Sequence, residues 1–386
     1  VTSPTQRFGL FSMRPRDPEE PHRAASPLEL FFDLVFVVAV SIAAVQLHHS
    51  LTEDHVADGL VSFAMVFFAI WWAWMNFTWF ATSFDTDDWL YRVLTVVQMA
   101  GVLVLAAGID SAFTDKNFTI LVFGYVVMRV PMVAQWIRAS SSPLHKRTAL
   151  TYAAGISGAQ ILWLLWLLLP QGPLQSIGFL VLAVVEMSIP FIAERNGSTP
   201  WHPHHITERY GLFTLILLGE SLLASSNAII EALNEDAALA PLISISVLTL
   251  VVTASLWWIY FWPPHHRAIS DLGTALKYGY IHYFIFAAAG AFSAGIEVEI
   301  DVLTEHSALG DVAASFTVTV PIAVFVLGVW FVAIRQYADR SVNIALPLGA
   351  VLVLLDPVIP VPITLTAVVM ILVVAVLVVR RPTSTQ

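Results

Sequence analysis

Cysteine is absent from this chain, which excludes disulfides, thiolate metal sites and a cysteine nucleophile. Charge is scarce: Asp, Glu, Lys and Arg make up 12% of the 386 residues, against about 25% in soluble domains. Lysine occurs only at Lys116, Lys146 and Lys277. The formal charge of −10 argues against a nucleic-acid partner, which needs a basic surface. The polar segment through Arg23 lacks the apolar core of a signal peptide.

What is present in excess is apolar. Hydrophobic residues form 58% of the chain, in blocks of about twenty, the length that crosses a hydrocarbon core. The pattern predicts an all-α polytopic membrane helix bundle of about twelve transmembrane helices. The spans are expected near 26–48, 58–83, 90–110, 117–137, 148–169, 173–193, 208–231, 241–262, 277–298, 313–334, 342–357 and 360–379. The last two flank Asp356-Pro357-Val358-Ile359-Pro360 and are also readable as one re-entrant hairpin. The expected organisation is an N-terminal segment 1–25, a first helical half 26–193, a linker 194–207, a second half 208–380 and a tail 381–386.

Apart from Lys116, which lies opposite, and Arg129, which lies inside a span, the basic residues fall on one side of these spans. Arg7, Arg14, Arg16 and Arg23 precede the first, and Arg92, Arg138, Lys146, Arg147, Arg195, Arg209, Arg267, Lys277, Arg335, Arg340, Arg380 and Arg381 follow the same alternation. Acids such as Glu53, Asp54, Asp58, Glu231, Glu235, Asp236, Glu299, Asp301, Glu305 and Asp311 occupy the opposite loops. Positive residues stay inside, so both termini and the linker are expected in the cytoplasm.

One offset of 187 residues relates Asp33 to Glu220, Trp71 to Trp258, Tyr91 to Tyr278, Gly108 to Gly295 and Asp110 to Glu297. Six spans fit within it, so the sequence predicts a parallel six-plus-six internal repeat. Asp110 and Glu297 would be its symmetric outer acids.

Asp33, Arg129, Glu186 and Glu220 stand inside apolar spans, nine to eleven residues from the nearest cytoplasmic arginine. At about 1.5 Å per residue they share one depth and are expected to meet in the bundle. With Arg129 as the sole cation inside a span, three carboxylates exceed it, which points to proton or cation coupling. Asn227 extends a polar stripe from Glu220 along the same face.

The cytoplasmic side also carries Asp85, Asp87 and Asp88, then His202, His204, His205 and Glu208, then His265 and His266. Such groups are a candidate site for a divalent metal or a phosphate, against the simpler reading that the aspartates cap the third helix. Trp71, Trp72, Trp74 and Trp79 crowd the second span, where interfacial anchoring is the favoured reading and a stacking wall the alternative.

Three stretches resemble the signatures of a known family. They are Leu28-Glu29-Leu30-Phe31-Phe32-Asp33-Leu34-Val35-Phe36-Val37, then Phe84-Asp85-Thr86-Asp87-Asp88 with Tyr91-Arg92, and His204-His205-Ile206-Thr207-Glu208-Arg209-Tyr210-Gly211-Leu212-Phe213 running on to Leu218-Gly219-Glu220-Ser221. The chain resembles the bacterial low-temperature-requirement A (LtrA) family from about residue 26 to 380. The resemblance implies a multi-pass protein of the bacterial inner membrane and supplies no agreed activity, catalytic residue or cofactor. Beside a scaffold or regulatory membrane protein, two functions stay open. One is a transporter or channel for an unidentified solute or ion, using the buried carboxylates. The other is a membrane-embedded enzyme acting on a lipid or isoprenoid at the Asp/His-rich face, where Asp85-x-Asp87-Asp88 resembles the acid motif of proton-initiated terpene cyclases.

Overall fold

A computed structural model describes residues 10–17, 20, 24–195, 197–234, 239–359 and 364–380, with side chains for all but Asp85, Ala228, 231–234 and 239. The tail 381–386, most of segment 1–25, Glu235, Asp236, Pro360 and the side chains of Asp85 and Glu231 therefore lie outside the described residues.

The helices are α1 Pro27–Thr52, α2 Val56–Ser83, α3 Trp89–Ala107, α4 Ile109–Thr114, α5 Thr119–Ala139, α6 Lys146–Trp166, α7 Pro173–Glu194, α8 Pro203–Asn234, α9 Leu239–Phe261, α10 Leu272–Leu303, α11 Asp311–Val329, α12 Arg340–Leu355 and α13 Thr364–Val379. Two short strands, β1 Arg14–Pro15 and β2 Phe84–Asp85, pair antiparallel. Among the described residues, ten helices are long and apolar enough to cross a membrane. α13 is apolar but shorter, and α8 is long but carries His204, His205, Glu208, Arg209 and Glu220. Mid-helix apolar side chains such as Val130, Ile161, Leu180 and Leu372 are exposed, as lipid contact requires. The protein is a multi-pass membrane protein.

Local chemistry sets the helix ends. Asp88 caps α3, its carboxylate accepting the Tyr91 amide at 2.8 Å. Asp271 and Thr274 form a reciprocal capping box on α10. Asp339 caps α12 through the Val342 amide. Gly172 at φ +122° turns the chain into Pro173 at the start of α7.

The chain divides into two compact units, one of residues 1–42 and 65–209, the other of 43–64 and 210–386. In the first unit α3 and α5 pack through glycines: a Cβ on Gly108 would stand 2.5 Å from the Leu121 amide nitrogen, and one on Gly124 2.2 Å from that of Leu105. Backbones this close need small residues. Its core is aromatic, with Trp71, Trp72, Trp74, Phe77, Phe32 and Phe36 buried. This overturns interfacial anchoring for Trp71, Trp72 and Trp74, because the indoles of the last two face buried carboxylates instead of headgroups. In the second unit α10 and α11 pack in the same manner, a Cβ on Gly295 falling 2.3 Å from the Thr317 carbonyl oxygen.

Candidate functional site

Two sets of buried charges occupy the first unit. The first is built from two pairs, each one helical turn apart: Glu29 and Asp33 on α1, His205 and Arg209 on α8. Arg209 grips Asp33 with a two-pronged fork, Nε to Oδ2 at 3.0 Å and Nη2 to Oδ1 at 2.5 Å. Trp74 Nε1 donates to Asp33 Oδ1 at 2.7 Å. Glu29 Oε1 lies 3.2 Å from His205 Nε2 and 3.5 Å from Arg209 Nη1, and its Oε2 accepts the Ser26 amide at 2.7 Å. The Phe77 ring lies 5.7 Å from the guanidinium centre. All four side chains are buried.

The second set joins Arg129 of α5 to Glu186 of α7. Arg129 Nη2 donates to Glu186 Oε2 at 3.2 Å and to the Tyr125 hydroxyl at 2.7 Å. Glu186 also accepts from Trp72, Tyr125, Gln160 and Trp163. Five donors meet about four lone-pair sites, which saturates the carboxylate. Arg129 Nε and Nη1 are buried without a hydrogen-bond partner. An aromatic crevice lined by Phe118, Tyr125, Trp163, Trp166 and Phe179 ends on this group.

These positions change the charge balance expected from the sequence. Arg209 is fully buried and not a surface anchor, so with Arg129 on Glu186 and Arg138 on Asp88 three arginines serve the buried acids of this unit. α8 starts at Pro203, five residues before the expected span, and this places His205 and Arg209 on its first two turns. Trp72 and Trp74, two residues apart on α2, reach different carboxylates, so α2 stands between the two sets and keeps Asp33 away from Arg129. Glu220 and Asn227 lie on α8 within the second unit, Glu220 half-buried and Asn227 exposed. Asp110 is exposed on α4. Glu297 meets His48 Nδ1 at 3.1 Å, while His48 Nε2 meets Asp301 at 2.7 Å.

The cytoplasmic cluster is largely engaged in structure. Asp87 pairs with Arg92 at 2.8 Å, and that contact holds its carboxyl below the usual range. Burial pushes the Asp88 carboxyl up, but Arg138 at 2.6 Å and the Tyr91 and Phe11 amides outweigh it and hold it low. His202 Nε2 contacts the Glu20 carbonyl at 3.0 Å, and His204 and Glu208 are exposed. In the second unit His265 Nε2 donates to the Tyr260 carbonyl at 2.6 Å and its Nδ1 accepts from the Tyr278 hydroxyl at 3.0 Å. Both ring nitrogens are thus used, and burial pulls the imidazole down to about 4. His266 is half-buried beside it. Among the described residues no three of His, Asp and Glu converge as a metal-ligand set. The second unit also holds a cavity of about 510 Å³, almost wholly apolar and lined by Leu51, Leu60, Phe63, Phe284, Phe316 and Val320.

The sequence missed Glu29, His205 as a partner of Glu29, Arg209 as a buried cation, and the indole donors. The signal was available: two charged pairs at four-residue spacing, one acidic and one basic, each at the start of an apolar helix.

Comparison with known proteins completes the reading. An uncharacterized protein of Rhizobium meliloti (strain 1021) is 30% identical over 256 residues, which cover 63% of this chain. The chain spans 60% of the length of that relative. A family model described as bacterial low temperature requirement A protein (LtrA) matches residues 24–379. The long acidic and basic signatures, the apolar helices and this match agree, and the chain belongs to the bacterial low temperature requirement A family.

Proposed function

We propose that this protein is a transporter of the bacterial inner membrane, with both termini cytoplasmic, in which the first unit couples solute movement to a proton. The observation that carries this reading is the buried quartet Glu29, Asp33, His205 and Arg209. Two carboxylates and one guanidinium leave a deficit of one positive charge. His205 makes up that deficit when it takes a proton and restores it when it gives the proton back. The quartet therefore changes charge by one inside helices where any charge is costly, which is how membrane proteins mark an ion path. Arg16 lies outside the quartet as a further cation that acts on Glu29, and the quartet's own count, two carboxylates to one guanidinium, is the one that His205 completes.

Arg129 and Glu186 form the partner station, and Glu220 with Asn227 is the polar stripe of the second half. The parallel repeat is part of this proposal. Its support is the glycine that seats each unit's tightest helix pair, Gly108 against Leu121 and Gly295 against Thr317, at equivalent places in the sequence. Solute and proton flux in proteoliposomes is the test. Asp33→Asn and His205→Gln should abolish proton-linked flux in protein that still folds. Unchanged flux in both well-folded variants would defeat the proposal.

An enzyme acting on a lipid or isoprenoid is the second reading, favoured by the apolar cavity of the second unit. Its described lining offers only Tyr283 and Thr317 as polar side chains, and the Tyr283 hydroxyl is donated to the Ala64 carbonyl. Such a lining suits the tail of a lipid better than a reaction. Asp87 and Asp88, the acids on which an enzyme would draw, are occupied by arginines.

A further inference from the structure

Seven acidic side chains are buried among the described residues. The five in the first unit are answered. Asp33 has Arg209, Glu186 has Arg129, Asp88 has Arg138, and Glu29 faces Arg209 and His205. Glu194 accepts from Tyr152 and Thr199 on one oxygen and from the Thr199 amide on the other. The two in the second unit, Glu299 and Asp356, differ from all of these.

Glu299 lies one turn beyond Gly295 on α10 and is 3% exposed. The close approach at Gly295 brings α11 against α10 and sets the Ser315 hydroxyl beside the Glu299 carboxylate. Asp356 ends α12 and is 1% exposed. Its Oδ2 accepts the Thr366 amide at 3.0 Å and the Thr366 hydroxyl, which caps α13. Capping uses one oxygen only. Asp356 Oδ1 and Glu299 Oε1 are both buried without a hydrogen-bond partner. The charged groups that act on Glu299 are Asp356 and Asp311, both acidic, with no arginine, lysine or histidine among them. Residues 360–363 read Pro-Val-Pro-Ile and bring no charge.

A buried carboxylate oxygen left without a donor loses solvation that nothing repays, and a second carboxylate nearby adds repulsion. Oxygen donors of this kind match hard cations, not soft ones. The chain turns back here from α12 into α13, Arg380 at the end of α13 returning to within 3.5 Å of Asp339 at the start of α12. We propose that Glu299 and Asp356, with the hydroxyl of Ser315, bind one hard metal cation where α10 ends and α11 begins. The site lies in the second unit and shares no residue with the quartet on which the transport reading rests.

The test uses the purified full chain in detergent at fixed pH and ionic strength, with NaCl and CaCl2 titrated against choline chloride. Sodium or calcium should raise Tm saturably over choline, and metal analysis after dialysis should find about one equivalent bound. Glu299→Gln and Asp356→Asn should each weaken the apparent affinity at least about tenfold, and the double variant should show no cation response. Should the double variant fail to fold, Ser315→Ala keeps both carboxylates and should weaken binding without abolishing it. A wild-type Tm indifferent to both cations and sensitive only to pH would overturn the proposal, leaving a carboxyl pair neutralised by a proton. A cation response unchanged in the folded double variant, or in Ser315→Ala, would overturn it as well, by placing the ion elsewhere.

Discussion

At the scale of single residues, burial decides what each charge is worth. Arg209 and Asp33 are fully buried and joined by a two-pronged hydrogen bond, so removing one partner leaves the other stranded. Arg209→Met should cost about 3–5 kcal/mol. The double variant Arg209→Met with Asp33→Asn should recover part of that loss, as thermal unfolding of the purified protein will read. His265 gives a pH dependence of known sign. Its folded value, about 4, lies below that of the unfolded chain because burial disfavours the imidazolium. The native state thus refuses a proton that the unfolded chain accepts. Stability is full above pH 6.5 and declines as pH falls from 6.5 towards 4, by about 3 kcal/mol in all. Melting curves at pH 7 and pH 5 should therefore converge in His265→Gln relative to wild type. Asp33, Arg129 and Glu186 were legible in the sequence, because a charge within an apolar run stands out whether it couples an ion or, as an Arg129–Glu186 pair would, only locks helices. Arg209 was not, because a basic residue at the edge of a span looks like an anchor. Only the early start of α8 turns it inward.

At the scale of helices, close approach is set by glycine. Gly108 and Gly295 each face the backbone of the next helix, where a side chain has nothing flexible to push aside. Gly108→Val and Gly295→Val should each destabilise by about 1–3 kcal/mol or more. Gly158 on α6 has nothing within 4 Å of a built Cβ, and Gly158→Ala should be neutral or gain up to about 1 kcal/mol from helix propensity. Comparable melting temperatures for Gly108→Val and Gly158→Ala would contradict the packing assigned here. The existence of these helices followed from run length alone, and the capping role of Asp88 was open from its spacing. The break of α3 at Gly108, while α10 runs through Gly295, was not readable. It depends on how each helix meets its neighbour, and consecutive residues carry no record of that.

At the scale of the whole molecule, the absence of cysteine makes topology directly testable. Single cysteines placed at Asp54 and Glu305 should react with an impermeant maleimide on intact cells stripped of their outer membrane. Cysteines at Asp17 and Arg340 should react only after the inner membrane is opened. Labelling of all four from outside would sink the assignment of the termini to the cytoplasm. The sequence by itself determined that the chain crosses the membrane many times, which family it belongs to, and which charges stand out from their helices. Those conclusions need only local hydropathy and long motifs, and both are written in consecutive residues. The tertiary structure alone decided which charges meet. Arg209 reaches across 176 positions to Asp33, Trp72 reaches Glu186, and no residue answers the free oxygens of Glu299 and Asp356 among those described. Pairing at that range depends on helix rotation and crossing, which arise from packing many side chains at once and leave no periodic trace along the chain.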